Sequence, residues 1–309
     1  MLKQYKTHSV PVKLKTPPWS RQRLQSVLDR GPHQSCFEHI NFLREEFVDM
    51  INKDQWIVLP FSVAKLLPNL RLSPPGVIPQ RERRPLWIVD YSYYNLNKET
   101  IPIAPMDAMQ FGHTLDRILH ELLLADLSLG PNYLLKLDIS DGYYRVNLNI
   151  SNIPKLGVVF PTLPGEEPLV AFPLVLPMGW TNSPPCFCAA TETATDLAND
   201  SLSNHQPSSP HHLDDLAVTM DVPDHSNTAL LTDTTLTDQL HQQPSRDPSL
   251  PTSTNPNAYV DVFVDDFLTL CQGSKKNVDM SAAHSSTPST KFSAHVMSKT
   301  HYFDAIQSP

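Results

Sequence analysis

The chain has 309 residues, which is enough for two domains of ordinary size with a sizeable hydrophobic core. Its 30 prolines against 9 glycines predict many interrupted elements, and a hydrophobic content of 40% indicates that part of the chain is not packed. The four cysteines form no Cys-x-x-Cys pair and have no histidine at zinc spacing, which argues against a disulfide scaffold or a zinc module. We expect an intracellular protein, cytoplasmic or nuclear, with no membrane partner, because neither a secretory signal nor a membrane-spanning stretch is apparent.

The charge is unevenly distributed along the chain. The formal net charge is -8, but residues 1–100 carry 15 Lys and Arg against 9 Asp and Glu, hence +6. Residues 101–200 and 201–309 carry 4 against 11 and 5 against 12, hence -7 each. A basic N-terminal third could face a polyanion while the acidic remainder holds cations, although ordinary solvated charge explains the pattern about equally well.

The N-terminal part predicts a basic extended arm over residues 1–19, followed by two helices. The first helix runs from Ser20, as N-cap, to Arg30, with Gly31 after its end. The second begins at Ser35, where Ser-Cys-Phe-Glu has the spacing of a capping box, and ends near Lys53.

The central part predicts strands and helices in alternation, from apolar runs that proline and turn residues separate. The expected strands are 56–59, 76–78, 86–89, 133–138, 156–160 and 169–176, and the expected helices are 107–126 and 181–198. In the helix 107–126, one face is predicted to be apolar through Met109, Leu115, Ile118, Leu119, Leu122 and Leu123.

Two segments are predicted to lack a packed structure. Residues 199–257 are rich in Ser, Thr, Pro, Asp and His and cannot bury enough apolar area to offset the entropy of ordering. The tail 273–309 has few large apolar residues, and we expect it to be poorly ordered.

Three aspartates carry the strongest functional signal. Asp265 and Asp266 lie between two apolar runs, so that a strand, a two-residue turn and a strand would place both at the tip of a hairpin. Asp138 ends another predicted strand. Acids on two adjacent strands can bridge two cations for phosphoryl transfer, which a single acid cannot do. For the pair alone, an ordinary solvated turn is the better interpretation, and Asp141 could simply cap the helix that follows.

The order of four motifs resembles that of reverse transcriptases from LTR retrotransposons and retroviruses. Residues Asp138–Tyr144 (DISDGYY) are similar to motif A, Leu176–Pro184 (LPMGWTNSP) to motif B, and Phe263–Asp266 (FVDD) to motif C. The upstream segment Arg84–Tyr91 (RPLWIVDY), with Asn95-Leu96-Asn97 after it, resembles the fingers segment of the same enzymes.

This resemblance implies an α+β fold, the fingers and palm of a right-hand polymerase, with an antiparallel palm sheet and flanking helices. The implied divisions are an N-terminal arm and helices (1–75), fingers and palm with motifs A and B (76–198), an insertion (199–257), the catalytic hairpin (258–272) and a tail (273–309). The implied activity is RNA-directed DNA polymerisation, in which a primer 3′-hydroxyl attacks the α-phosphate of a dNTP on an RNA or DNA template.

The resemblance also implies roles for the aspartates. Asp138 and Asp265 are expected to be the principal ligands of Mg²⁺, or of Mn²⁺ in its place. The carbonyl group of Ile139 would assist them, and Asp266 would complete the catalytic triad.

The implied nucleotide-binding residues are Asp141 and Gly142, through their backbone near the triphosphate, Tyr143 under the sugar, and Met178 and Gly179 in the nucleotide pocket. Core packing is nearly as good an explanation of Tyr143. Where many family members have a basic residue for the triphosphate, this chain has Leu86; Arg84 is the favoured substitute, with Arg81 and Arg83 as alternatives and a solvated basic turn about as probable.

After Asp266 only 43 residues remain (309 − 266), and nothing in them resembles a thumb or an RNase H domain, so both are expected to be absent unless a partner chain supplies them. Two alternatives stay open. The chain could be a catalytically inactive, nucleic-acid-binding remnant of such an element, or an unrelated Mg²⁺-dependent phosphohydrolase that uses Asp138 and Asp141.

Overall fold

The computed structural model describes residues 1–81, 83–105, 109–204, 256–273 and 301–304. The chain divides into two compact units. The first unit comprises Met1–Gly112 and Ile139–Thr193, and the second comprises His113–Asp138 and Ala194–Pro309.

Eight α-helices lie in the described part of the chain, and short 3₁₀ turns accompany them. They are α1 (Leu2–His8), α2 (Arg21–Arg30), α3 (Ser35–Glu38), α4 (Ile40–Asn52), α5 (Phe61–Ala64), α6 (Leu96–Glu99), α7 (Thr114–Leu124) and α8 (Ser183–Ser203).

Ten strands in the described residues form three sheets, so the molecule is a mixed α and β structure. The strands are β1 (Trp56–Pro60), β2 (Leu72–Ser73), β3 (Pro75–Ile78), β4 (Leu86–Val89), β5 (Asn132–Asp138), β6 (Gly157–Val159), β7 (Leu169–Pro173), β8 (Ala258–Phe263), β9 (Asp266–Gln272) and β10 (His301–Asp304). The first unit contains a mixed sheet of order β1-β7-β6-β2, in which β2 and β6 are parallel, and the antiparallel pair β3-β4. The second unit contains the antiparallel sheet β10-β5-β9-β8.

The first unit is built around a cluster of aromatic side chains. Phe47 of α4 contacts Trp56, Trp87 and Phe160, with ring centroids 4.9 to 5.6 Å apart. All four side chains are buried, so α4 is fixed to strands of both sheets of this unit.

The predicted extended arm 1–19 is instead the short helix α1 followed by a packed extended segment. Val10 and Val12 are fully buried. The amide of Val12 donates to Asn152 Oδ1 at 2.9 Å, and Lys155 Nζ donates to the carbonyl oxygen of Val12 at 2.6 Å. The alternation of apolar residues after α1 explains the difference, because it gives the segment one face that can be buried.

Helix α2 agrees with its prediction, and the next helix does not. Ser20 Oγ accepts a hydrogen bond from the amide of Arg23, and Gly31 follows the helix with a φ of 72°. The capping box predicted at Ser35 is wrong: Ser35 Oγ accepts from the amide of Val77, and the helix breaks at His39 into α3 and α4. The Ser35 hydroxyl therefore hydrogen-bonds to strand β3 and does not cap a helix.

Helix α7 begins later than predicted, at Thr114, after a 3₁₀ turn over Phe111–His113. Its predicted apolar face is only partly buried, because Ile118 is buried whereas Leu115, Leu119 and Leu123 are exposed. The buried side of α7 packs against β8 and β9 through Ile118 and the small side chain of Thr114. The apolar periodicity was therefore correct for a helix but did not indicate which face is covered.

The two segments predicted to be unpacked fall mostly outside the described residues. Residues 199–203 of the predicted insertion are helical, since α8 continues to Ser203, and residues 205–255 lie outside the described residues. Of the tail 273–309, only Gly273 and strand β10 are described. No helix in the described part of the chain has both the length and the apolar character needed to cross a membrane.

Candidate metal centre

The hairpin that carries the two neighbouring aspartates is formed by β8 and β9. Phe263 pairs with Asp266, so the two-residue turn consists of Val264 and Asp265. The prediction that both aspartates occupy the tip is therefore wrong by one residue, because Asp266 is the first residue of β9. Val264 adopts a φ of 61°, which is unfavourable for a β-branched residue and indicates that the surrounding pairing imposes the turn.

Strand pairing brings the third aspartate to this hairpin. Strands β5 and β9 are antiparallel, and Asp138 lies directly opposite Asp266. Carboxylate oxygens of Asp138, Asp265 and Asp266 all lie within 4.8 Å of one another. We call these three residues the acidic cluster. The structure thus brings together the three acids that the sequence predicted to act together.

The acidic cluster is electrostatically strained. Burial raises the pKa of Asp138, and so do its hydrogen bond to Asp266 and the charges of Asp266 and Asp265. Burial also raises the pKa of Asp265; a hydrogen bond from its own amide opposes this, and the charge of Asp266 adds to it. A hydrogen bond between two carboxyl groups requires a proton on one of them, so the cluster gains from a proton or another cation.

Lys136 supplies one positive charge beside the cluster, and the sequence reasoning did not identify it. Its Nζ atom lies 2.7 Å from Asp266 Oδ2. The hydrogen bond to Asp266 raises the pKa of Lys136, and the charges of all three acids add to this effect. The signal was present in the sequence, because Lys136 is two residues before Asp138 and thus on the same face of the strand.

A buried ion pair between α7 and β8 stabilises the hairpin. Arg117 of α7 donates through Nε and Nη2 to the two carboxylate oxygens of Asp261, at 2.5 and 2.6 Å. Asp261 lies on β8 with 1% of its side chain exposed, and it also accepts hydrogen bonds from the Tyr259 hydroxyl and the Val262 amide. This pair fixes the strand that leads to the turn, and no motif or spacing in the sequence indicated it.

The predicted nucleotide-binding residues belong to the first unit, and two of them contact one aromatic ring. A Cβ added to Gly142 would lie 2.7 Å from Phe187 Cζ, so glycine is required where this ring packs. Tyr143 meets the same ring edge to face, with centroids 5.1 Å apart, and is half-buried. Core packing thus explains part of the pattern at Gly142 and Tyr143, as the alternative for Tyr143 anticipated.

The motif B segment is held by a side chain that the sequence reasoning left without a role. Asn97 Nδ2 donates to the carbonyl oxygen of Gly179 at 2.9 Å, and Asn97 Oδ1 accepts from the amide of Thr181 at 3.0 Å. Gly179 has a φ of 89°, and an added Cβ would lie 2.6 Å from the carbonyl oxygen of Val89. The neighbouring Met178 is exposed. Asn97 therefore fixes the backbone of the predicted nucleotide-pocket loop.

The remaining predicted residues also belong to the first unit. Arg84 forms an ion pair with Glu46 at 2.7 Å, so its positive charge is already matched by a carboxylate. Asp141 is exposed, adopts a φ of 56° and acts electrostatically on Lys53. Ile139 follows Asp138 directly in the chain and is half-buried.

The donor set of the acidic cluster fits a hard divalent cation. Mg²⁺ and Mn²⁺ prefer carboxylate oxygens, and the three carboxyl groups are close enough to share an ion. A cation would also relieve the repulsion that raises the pKa values of Asp138 and Asp265. The residues present therefore suit Mg²⁺, with Asp138, Asp265 and Asp266 as the ligands.

Comparison with known proteins adds no relative to this description. No protein-family model matches the sequence, and no curated protein is significantly similar to it.

Proposed function

We propose that the chain carries the fingers and palm of a reverse transcriptase of the LTR retrotransposon or retroviral type. The activity would be transfer of a nucleotide from a dNTP to a primer 3′-hydroxyl, with RNA or DNA as template and Mg²⁺ or Mn²⁺ as cofactor. The observation that carries the proposal is the convergence of Asp138, Asp265 and Asp266 at one end of the paired strands β5 and β9 of an antiparallel sheet.

The support is strongest for the convergence of the three acids. The paired strands β5 and β9 and the tight β8–β9 turn hold the carboxyl groups together before any ligand binds. Such preorganisation is what charge stabilisation in phosphoryl transfer requires. The order of the fingers segment and of motifs A, B and C along the chain agrees with the same assignment.

Each group of residues has a distinct task in this proposal. Asp138 and Asp265 would hold the metal, with the Ile139 carbonyl group assisting, and Asp266 would complete the triad. Bound Mg²⁺ supplies charge neutralisation at the phosphates and activation of the primer hydroxyl.

The first unit would bind the dNTP. The backbone of Asp141 and Gly142 would face the triphosphate and Tyr143 would lie under the sugar. Met178 and Gly179 would line the pocket, with Asn97 fixing the Gly179 backbone. To bind the triphosphate, Arg84 would have to exchange the carboxylate of Glu46 for a phosphate oxygen.

Primer extension tests the proposal directly. The full chain is incubated with a primer annealed to RNA or DNA, all four dNTPs, and Mg²⁺ or Mn²⁺. We expect incorporation that chelator abolishes and that Asp265→Asn reduces by at least about a hundredfold, because one principal ligand is lost. Asp49→Asn is the control and should leave incorporation unchanged, because it removes an exposed carboxylate of α4 that belongs neither to the acidic cluster nor to the proposed nucleotide-binding residues.

Incorporation that equals the Asp265→Asn background would refute stand-alone polymerase activity. Nucleic-acid binding that is sensitive to salt, ignores Mg²⁺ and survives Asp138→Ala would then identify a non-catalytic remnant instead. Turnover of a small phosphomonoester that is lost in both Asp138→Asn and Asp141→Asn would point to the phosphohydrolase.

A further inference from the structure

We propose that Lys136 is a built-in cation of the acidic cluster, which holds Asp266 in place without metal and opposes the entry of a divalent ion. Lys136 would thereby set the metal affinity of the site. This inference rests on the proposed metal-dependent function and deepens it, because it concerns how the same site is regulated.

The register of the sheet places Lys136 on the face that carries the cluster. Lys136 and Asp138 are two residues apart on β5, and side chains two apart on a strand share a face. Asp266 lies directly opposite Asp138, so Lys136 is its diagonal neighbour across the strand pair. The Lys136 side chain spans this diagonal, with its Nζ atom 2.7 Å from Asp266 Oδ2.

The charge of Lys136 acts on the whole cluster and not only on its nearest partner. Its Nζ atom lies 2.7 Å from Asp266 Oδ2, and carboxylate oxygens of Asp138 and Asp265 lie within 4.8 Å of Asp266, so all three acids are within a few ångströms of the same positive charge. In a cluster of three carboxyl groups, this single ammonium group neutralises part of the negative charge that a metal ion would neutralise. A metal ion entering the cluster would meet its repulsion and compete with it for Asp266.

An ion pair outside the acidic cluster would behave differently. Lys53 forms a pair of similar length with Asp49, at 2.8 Å, between two residues of one helical turn. Exposed pairs of that kind contribute little to stability and have no reason to influence a metal site elsewhere. Lys53 is therefore the matched control for Lys136.

Direct metal binding by the full-length chain tests the proposal. Mn²⁺ binding is followed by the loss of the free-ion signal in electron paramagnetic resonance, for wild type, Lys136→Met, Lys136→Arg and Lys53→Met. A unit charge about 6 Å from a divalent ion, screened as in water, changes affinity about tenfold. We expect Lys136→Met to bind Mn²⁺ about tenfold more tightly, while Lys136→Arg and Lys53→Met remain within about twofold of wild type.

Thermal unfolding gives a second readout that does not depend on metal affinity alone. In EDTA, Lys136→Met should melt at a lower temperature than wild type, because the cluster loses its internal cation. Saturating Mn²⁺ should remove that difference. If the methionine variant does not fold, Lys136→Gln replaces it, since it keeps a polar end and most of the side-chain length.

The outcomes separate this inference from the function on which it rests. Unchanged or weaker Mn²⁺ binding by Lys136→Met, with binding abolished by Asp138→Asn, overturns the role of Lys136 and leaves the metal site standing. Binding that is absent in wild type, or equal in wild type and Asp138→Asn, overturns both.

Discussion

Replacing Arg117 by methionine should selectively destabilise the hairpin that carries Asp265 and Asp266. The substitution keeps the apolar stem and removes the guanidinium group that faces Asp261. Asp261 is almost completely buried, so its charge would be left without its cationic partner in a place where water cannot replace it.

The size of the effect follows from the geometry of the pair. Breaking a buried ion pair by removing one partner costs about 3–5 kcal/mol. Here Arg117 keeps 29% of its side chain exposed, and Asp261 retains hydrogen bonds from the Tyr259 hydroxyl and the Val262 amide. We therefore expect the lower end, about 3 kcal/mol.

Hydrogen–deuterium exchange of peptides that cover β8 and β9 measures this loss locally. A cost of about 3 kcal/mol corresponds to a fall in amide protection of more than about a hundredfold, where exchange follows opening of the hairpin. The matched control is Arg44→Met, which removes an exposed bidentate partner of Glu166 in the first unit. That pair should be worth less than about 1 kcal/mol.

Arg117 does not stabilise the hairpin if Arg117→Met changes protection in β8 and β9 no more than Arg44→Met does. The unpaired buried carboxylate is not the cause of the loss if Asp261→Asn, which removes the charge but keeps an acceptor for the Tyr259 hydroxyl and the Val262 amide, combined with Arg117→Met is as unstable as Arg117→Met alone. Removing both charges should recover most of the loss, because the cost comes from the unpaired buried carboxylate.

The structure also predicts whether three further substitutions stabilise or destabilise the protein. Gly179→Ala should destabilise the first unit by about 1–3 kcal/mol, because its φ is 89° and the new Cβ would meet the Val89 carbonyl oxygen. Tryptophan fluorescence during thermal unfolding measures this, and an unchanged melting temperature would contradict it. Val264→Gly should stabilise the hairpin by about 1 kcal/mol by relieving a φ of 61°, seen as slower hydrogen exchange in β8 and β9. Asp138→Asn should raise the melting temperature in EDTA at about pH 7.5 but not at about pH 4. The pKa of Asp138 is raised in the folded state, so its favourable contribution is present when it is protonated and is lost as the pH rises through that pKa. A gain of equal size at both pH values would refute this explanation.

The sequence predicted the strands better than the helices, for a physical reason. Short apolar runs that end at proline are too short for a helix and favour strands. Accordingly, β1, β3 and β4 lie within a residue or two of their predicted bounds. A helical repeat of leucines indicates a helix but does not show which of its faces is buried. Leu115, Leu119 and Leu123 therefore gave the correct type of element and the wrong buried face.

The candidate site was predicted through its acids and not through their partners. Asp138, Asp265 and Asp266 stand at the ends of predicted strands, and a polar residue there is readable from the sequence alone. Lys136 and Arg117 act across strand and helix pairings whose register one sequence does not contain, so their partners became visible only in the structure.

The balance of charge around the hairpin explains why the acidic cluster favours cationic charge in addition to that of Lys136. Four carboxylates belong to this part of the sheet, and in the described part of the chain Arg117 pairs with Asp261 and Lys136 with Asp266. Asp138 and Asp265 are left with raised pKa values and a combined charge of -2 once both are ionised. A proton shared between the carboxyl groups can cancel only half of that charge, whereas one Mg²⁺ ion cancels all of it. The Arg117–Asp261 pair thus stabilises the hairpin without contributing to the acidic cluster. The remaining negative charge, on Asp265 at the turn and Asp138 at the end of β5, is what a metal ion would neutralise.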